Sequence, residues 1–161
     1  MKTTREAARE ESHKELVNDL QALLEKNYDA EKGFKNAMED TKDGDLKHFL
    51  KTQALQKNRF VTELDALIRS LNEEPKEKGS TKGDLHRTWM DIKTALSSNK
   101  DEAVLEECLR GEKASRKEYE EKLDNKFLRP EISQVLQRHL KEINETIASV
   151  KTLEDLADRK D

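Results

Sequence analysis

A chain of 161 residues, 41% of them charged and 33% apolar, is the size of one domain whose core must come from narrow helical stripes. The formal net charge of −4 is mixed in sign along the chain, which offers no basic face to nucleic acid, and no apolar run approaches the ~20 residues of a membrane span. A single cysteine, Cys108, leaves no internal disulfide framework and fits a reducing, cytoplasmic setting.

Two prolines and five glycines are too little punctuation for a β-rich fold. Residues 1–10 are polar, lack the apolar stretch of a signal peptide and are expected to be frayed or disordered. The first helix is expected to start between Glu10 and Ser12 and to run to about Thr41. Its stripe is Leu16, Leu20, Leu23, Asn27, Glu31 or Ala30, Phe34 and Met38, at the three-and-four spacing of a helix face. Asp43-Gly44 predicts a tight turn with Gly44 at positive φ, and Asp45 a cap for the second helix. That helix carries Leu46, Leu50, Gln53, Gln56 or Lys57, Phe60, Leu64, Leu67 and Leu71, and stops before Pro75.

Residues 74–100 are predicted to cross over, first as a polar loop and then as a short helix from Asp84 to Leu96 with Leu85, Trp89, Ile92 and Leu96 on one side. Asp101 or Asn99 should cap the third long helix, which carries Leu105, Cys108, Glu112, Ser115, Tyr119 and Leu123 and ends near Lys126. Pro130 suits the first turn of the last helix, with Ile132, Leu136, His139 or Leu140, Ile143, Ile147, Val150 and Leu153 along its stripe. The short loops make each helix pair an antiparallel hairpin. The long middle connection can span helices of roughly 40 Å at 1.5 Å per residue. The prediction is therefore one all-α domain over residues 1–161, a four-helix bundle of two hairpins joined by a crossover, which is the ferritin-like arrangement. The competing topology is an up-down bundle with a decorated loop.

Each stripe turns polar near its middle, at Asn27, Gln53 and Gln56, Glu112 with Ser115, and His139. Counting from the turns places all of them near mid-bundle. A di-iron site there needs a Glu from two helices and Glu-x-x-His from the other two. Here the second helix reads Gln56-Lys57-Asn58-Arg59 and the fourth Leu136-Gln137-Arg138-His139, so only Glu112, Glu31 and His139 remain as candidate ligands for iron or zinc. The expectation is a degenerate site. A carboxylate on a buried stripe needs a partner, and Arg59 is the candidate for an ion pair with Glu112; the alternative leaves Glu112 reaching solvent between helices.

Three strings, Tyr28-Asp29-Ala30-Glu31-Lys32-Gly33-Phe34, Leu85-His86-Arg87-Thr88-Trp89-Met90-Asp91-Ile92-Lys93 and Glu106-Glu107-Cys108-Leu109-Arg110-Gly111-Glu112-Lys113-Ala114-Ser115, carry a resemblance. From about Lys14 to Leu156 the chain resembles a bacterial family of ferritin-like four-helix-bundle proteins bearing a domain of unknown function. The resemblance implies a rubrerythrin-like bundle and, by analogy with ferritin-like proteins, a role in stress physiology; it implies no activity. Gly111-Glu112 also resembles the third-helix ligand segment of rubrerythrins.

His86, Trp89 and Asp91 suggest a partner surface, the alternative being that Trp89 and Ile92 pin the crossover to the bundle. Cys108 falls on the inward stripe, with no histidine or helix N-terminus to activate it. Gly33 and Gly111, each costing about 1 kcal/mol against Ala inside a helix, suggest close helix approach. The leading expectation is a non-enzymatic protein that binds an unknown protein partner or self-associates as a homo-oligomer, with no cofactor. The alternatives are a single-metal or redox protein using Glu112, His139 and Glu31, and a carrier of small ligands or lipid tails between the helices.

Overall fold

A computed structural model of the chain describes residues 3–79, 91–98 and 100–160, with side chains as far as Leu153. The fold is all-α. Helices α1 (Thr4–Asp40) and α2 (Gly44–Ser70) form the first hairpin, and a short α3 at residues 91–97 lies in the crossover. Helices α4 (Asp101–Leu123) and α5 (Pro130–Lys160) form the second.

The helix ends follow from local chemistry that periodicity does not reveal. Thr3 accepts a hydrogen bond from the Glu6 N–H at 3.1 Å while Glu6 accepts one from the Thr3 N–H at 3.2 Å. This capping box starts α1 at Thr4, ahead of the expected Glu10–Ser12 start, so residues 4–10 are helical. At the first turn Asp43, not Asp45, is the cap, accepting from the Leu46 N–H at 2.8 Å. Gly44 is already helical, and no described glycine takes a positive φ. That conformation falls to Asn72 (φ 62°), where the Glu73 N–H reaches the Ile68 carbonyl at 3.3 Å and the Asn72 N–H the Arg69 carbonyl at 2.9 Å. The pair is a Schellman ending for α2. Lys100 occupies the cap position of α4 without a side-chain bond; Asp101, one of the expected caps, is the first helical residue, where its charge favours the positive helix end. Asn99 lies outside the described residues.

Ion pairs between the hairpins fix the helix directions. Lys26 meets Glu118 at 3.0 Å and Asp19 meets Lys122 at 3.4 Å, so α1 and α4 are antiparallel. Arg59 meets Glu142 and Glu63 meets Arg138, so α2 and α5 are antiparallel as well. The helices therefore run up, down, down, up, and α2 and α4 are parallel across the diagonal. The chain must travel back along the bundle between them, which excludes the up-down alternative and explains the long crossover.

The apolar core is split in two. One cluster, at the end opposite the α1–α2 turn, joins Leu20, Leu24, Phe60, Leu64, Leu136 and Ile143. The other, at the turn end, joins Phe34, Ala37, Leu50, Leu105, Cys108 and Val150, with Ala95 of α3 packed into it. Polar side chains occupy the space between. Gly33 and Gly111 do not mark close helix approach: a Cβ at either would meet nothing within 4 Å. No helix among the described residues is long and apolar enough to cross a membrane.

Candidate functional site

The polar core is built on two levels. At the upper level, nearer the α1–α2 turn, Lys57 of α2 and Glu112 of α4 are buried at 1% and 2% exposure. The Lys57 ammonium donates to both Glu112 oxygens, at 3.0 and 3.1 Å, and to Gln56 Oε1 at 3.2 Å. Gln56 in turn donates to the Thr146 hydroxyl of α5 at 3.4 Å. One cation and one anion meet at close range, so the level is charge-balanced by the protein itself. Glu31 sits at the margin, accepting from Asn58 and pairing with Lys35, each at 3.0 Å.

The lower level is a hydrogen-bonded relay. Asn27 donates to the Leu23 carbonyl at 2.8 Å and to the Tyr119 hydroxyl at 3.1 Å. The Tyr119 hydroxyl in turn hydrogen-bonds His139 Nδ1 at 2.8 Å. His139 Nε2 lies 3.5 Å from Glu63 Oε2 without hydrogen-bond geometry and has no hydrogen-bond partner. Phe60 stacks on the imidazole with ring centres 3.9 Å apart. Burial pushes the His139 pKa down to about 4, against the opposing pull of Glu63. Burial likewise raises the Tyr119 hydroxyl well above its ordinary value.

A charged fringe closes the relay from outside. Burial alone would raise Glu63, but its hydrogen bond with Arg138 and the nearby positive charge outweigh it and hold the carboxyl below its ordinary value. Arg59 forks onto Glu142 at 2.8 and 2.5 Å, which depresses the Glu142 carboxyl.

The structure thus overturns the Arg59–Glu112 pairing. Arg59 is half exposed and engaged with Glu142 and Glu63, while Lys57 neutralises Glu112. Nor do the predicted polar residues form one layer. Tyr119 follows Glu112 by two turns on α4, and His139 pairs with Tyr119, so His139 lies about 10 Å along the axis from Glu112. Glu112, His139 and Glu31 therefore do not converge, and among the described residues no group of three or more His, Cys, Asp or Glu side chains is placed to hold a metal ion. Asn27, Gln53, Glu112 and His139 are buried, Gln56 and Ser115 are half-buried, and Asp91 is exposed on α3. His86 and Trp89 lie outside the described residues.

Cys108 stands one turn before Glu112. Burial, with the negative charges of Glu112 and Glu107 adding to it, pushes the thiol pKa up to about 12, so Cys108 packs as a small apolar group. Sequence reasoning missed Lys57 as the ion-pair partner, Glu63 as the neighbour of His139, and Thr146 as the α5 residue level with Glu112. Tyr119, read only as a stripe residue, proves to be the hinge of the relay.

A helical frame with a self-neutralised polar core defines a class of bundle proteins rather than a reaction. Residues 15–125 match the family described as a domain of unknown function, DUF2383, and the chain belongs to that family. No curated protein matches the chain.

Proposed function

We propose that this is a non-enzymatic helical binding protein of ferritin-like descent, in which a lysine–glutamate pair stands where a metal-carrying relative would hold ions. The observation that carries this reading is the Lys57 ammonium seated on both Glu112 oxygens, at 3.0 and 3.1 Å. A di-iron centre draws on several carboxylates to balance two dications. The two carboxylates at that level are already engaged, Glu112 by Lys57 and Glu31 by Lys35 and Asn58, and the buried histidine is held two turns away by Tyr119. The residues present therefore do not fit a di-iron group. The apolar clusters on either side and the hydrogen-bonded relay suit a rigid frame, which leaves the surface to carry the binding role.

The test is elemental analysis of untagged protein made with iron and zinc supplied and no chelator used. The expected result is metal far below stoichiometric, unchanged in Glu112→Ala. Near-stoichiometric iron or zinc that is lost in Glu112→Ala would overturn the reading and favour a single-metal protein. A carrier role for the bundle is a second reading, favoured by a groove between α2 and α5.

A further inference from the structure

At the end of the bundle opposite the α1–α2 turn, the first turns of α1 and the turn between α4 and α5 enclose a notch of about 710 Å³. Its α1 wall continues the helix face that buries Leu16 and Leu20, stepping back by three and four through Ser12 and Arg9 to Arg5. The facing wall is Phe127 and Arg129. Asn125 pins that wall to α1, donating to Asp19 at 3.0 Å and accepting from the Phe127 N–H at 2.8 Å. The two walls are thus set opposite each other by the fold itself, which lowers the cost of ordering them around a ligand.

The charge of the walls has one sign. Among the described residues Arg59, Arg69, Arg110, Arg116 and Arg138 each pair with a carboxylate. The other arginines whose side chains are described, Arg5, Arg9 and Arg129, make no ion pair, and all three line this notch. His13 beside them is taken by Glu73 at 3.1 Å, and no carboxylate is among the lining residues. In a chain of net charge −4, three guanidiniums left unanswered in one place suit an anion from outside. Each can fork onto two oxygens of a phosphoryl group, and their summed charge balances the roughly three negative charges of a diphosphate ester. The notch also has an apolar side. Leu16 is buried at its base, while Phe127 stands 51% exposed beside the charges, an aromatic face left for a planar ring to cover. The volume falls in the ~300–1,000 Å³ range of small-molecule sites, which suits one compact ligand better than a docking helix.

We propose that this notch binds a nucleoside diphosphate, its phosphoryl groups held by Arg5, Arg9 and Arg129 and its base stacked on Phe127. This assignment rests on the non-enzymatic binding reading and names the ligand class it serves. Charge-assisted hydrogen bonds from guanidinium to phosphate supply most of the affinity, and the stack separates a nucleotide from free phosphate or pyrophosphate.

The experiment is calorimetric titration of the full chain with ADP, without magnesium, at physiological ionic strength. One saturable site is expected. Arg9→Gln and Arg129→Gln should each weaken it about tenfold, because a charge-assisted bond to phosphate is lost, while the melting curve stays in place, since neither arginine makes an ion pair within the chain. Phe127→Ala should weaken ADP about tenfold and leave pyrophosphate unaffected, and Phe127→Trp should keep ADP binding. Arg110→Gln removes the same charge from the first half of α4, away from the notch, and should change nothing. Absence of saturable heat, pyrophosphate binding as tight as that of ADP, or equal weakening by Arg110→Gln would overturn the proposal, the last because it marks nonspecific attraction between charges. Metal content measured on the same preparation separates the two levels. No metal and no ADP binding sinks the nucleotide assignment alone; metal at Glu112 sinks the broader reading, whatever the titration shows.

Discussion

Replacing Lys57 by Met keeps most of the aliphatic stem but removes the ammonium that neutralises Glu112. Both side chains are nearly inaccessible, at 1% and 3% exposure, so water cannot take the place of the lost cation. The nearest polar neighbour, Gln56, uses its Oε1 to accept from Lys57 and its amide nitrogen to reach Thr146, and so offers no charge in compensation. Breaking a buried pair by deleting one partner typically costs about 3–5 kcal/mol. Against a total stability of about 5–15 kcal/mol for a domain, that is a large fraction. At about 2–4 °C per kcal/mol for a chain of this size, the melting temperature should fall by roughly 10 °C. Urea denaturation followed by circular dichroism gives the free-energy change directly. The double variant Lys57→Met/Glu112→Leu should recover most of the loss, because two apolar groups of similar volume often replace a buried pair without penalty. A single-variant loss under about 1 kcal/mol would refute the argument, since it would mean that Glu112 reaches solvent and the pair does not close the core.

Three further outcomes are expected. Because the folded His139 titrates near 4 against an ordinary 6.5, the folded state binds fewer protons between those values, so stability is full above about pH 6.5 and falls on acidification, by about 3 kcal/mol across the window. Urea midpoints between pH 7 and 4 check this, and His139→Leu should flatten the slope. Cys108, buried and with its thiol pKa raised, should label with a thiol reagent only at the rate of unfolding; rapid native labelling would contradict its packing. Gly33→Ala should raise stability by about 1 kcal/mol in a denaturation curve, because the added Cβ meets nothing within 4 Å while the helix loses a flexible residue.

Much of the fold was legible because apolar spacing and loop length are direct consequences of helix geometry. Leu16, Leu20, Leu23 and Phe34 on α1, and Ile132, Leu136, Ile143 and Val150 on α5, are buried where three-and-four spacing puts them. Helix ends were less legible, since the Thr3–Glu6 box and the Asn72 ending depend on side-chain bonds that periodicity ignores. Spacing alone could not choose between Gln56 and Lys57, because each lies three or four residues from both Gln53 and Phe60. Arg59 was the wrong partner for a geometric reason: two residues along a helix turn it by about 200°, so Lys57 and Arg59 cannot face one interior. The height of His139 was misread because counting from the turns assumes equal overhang at both ends of a hairpin.

The polar core makes most sense as an alignment device between the hairpins. Apolar stripes with three-and-four spacing fit one another in more than one register, since a leucine displaced by a helical repeat still meets a leucine. A hydrogen-bonded partner does not tolerate that displacement. Lys57–Glu112 links α2 to α4 across the diagonal, and Asn27–Tyr119 links α1 to α4; both cross from the first hairpin to the second. Tyr119–His139 then ties α4 to α5 within the second hairpin at the same level. A slip by one turn in either direction would strand Lys57 and Glu112 in apolar layers and take Asn27 from Tyr119, and the sum of those penalties exceeds what repacked leucines return. Such buried polar contacts are best attested as devices of register rather than of net stability. In this bundle they hold the two hairpins at one height, with the groove between α2 and α5 lying along the joint between them.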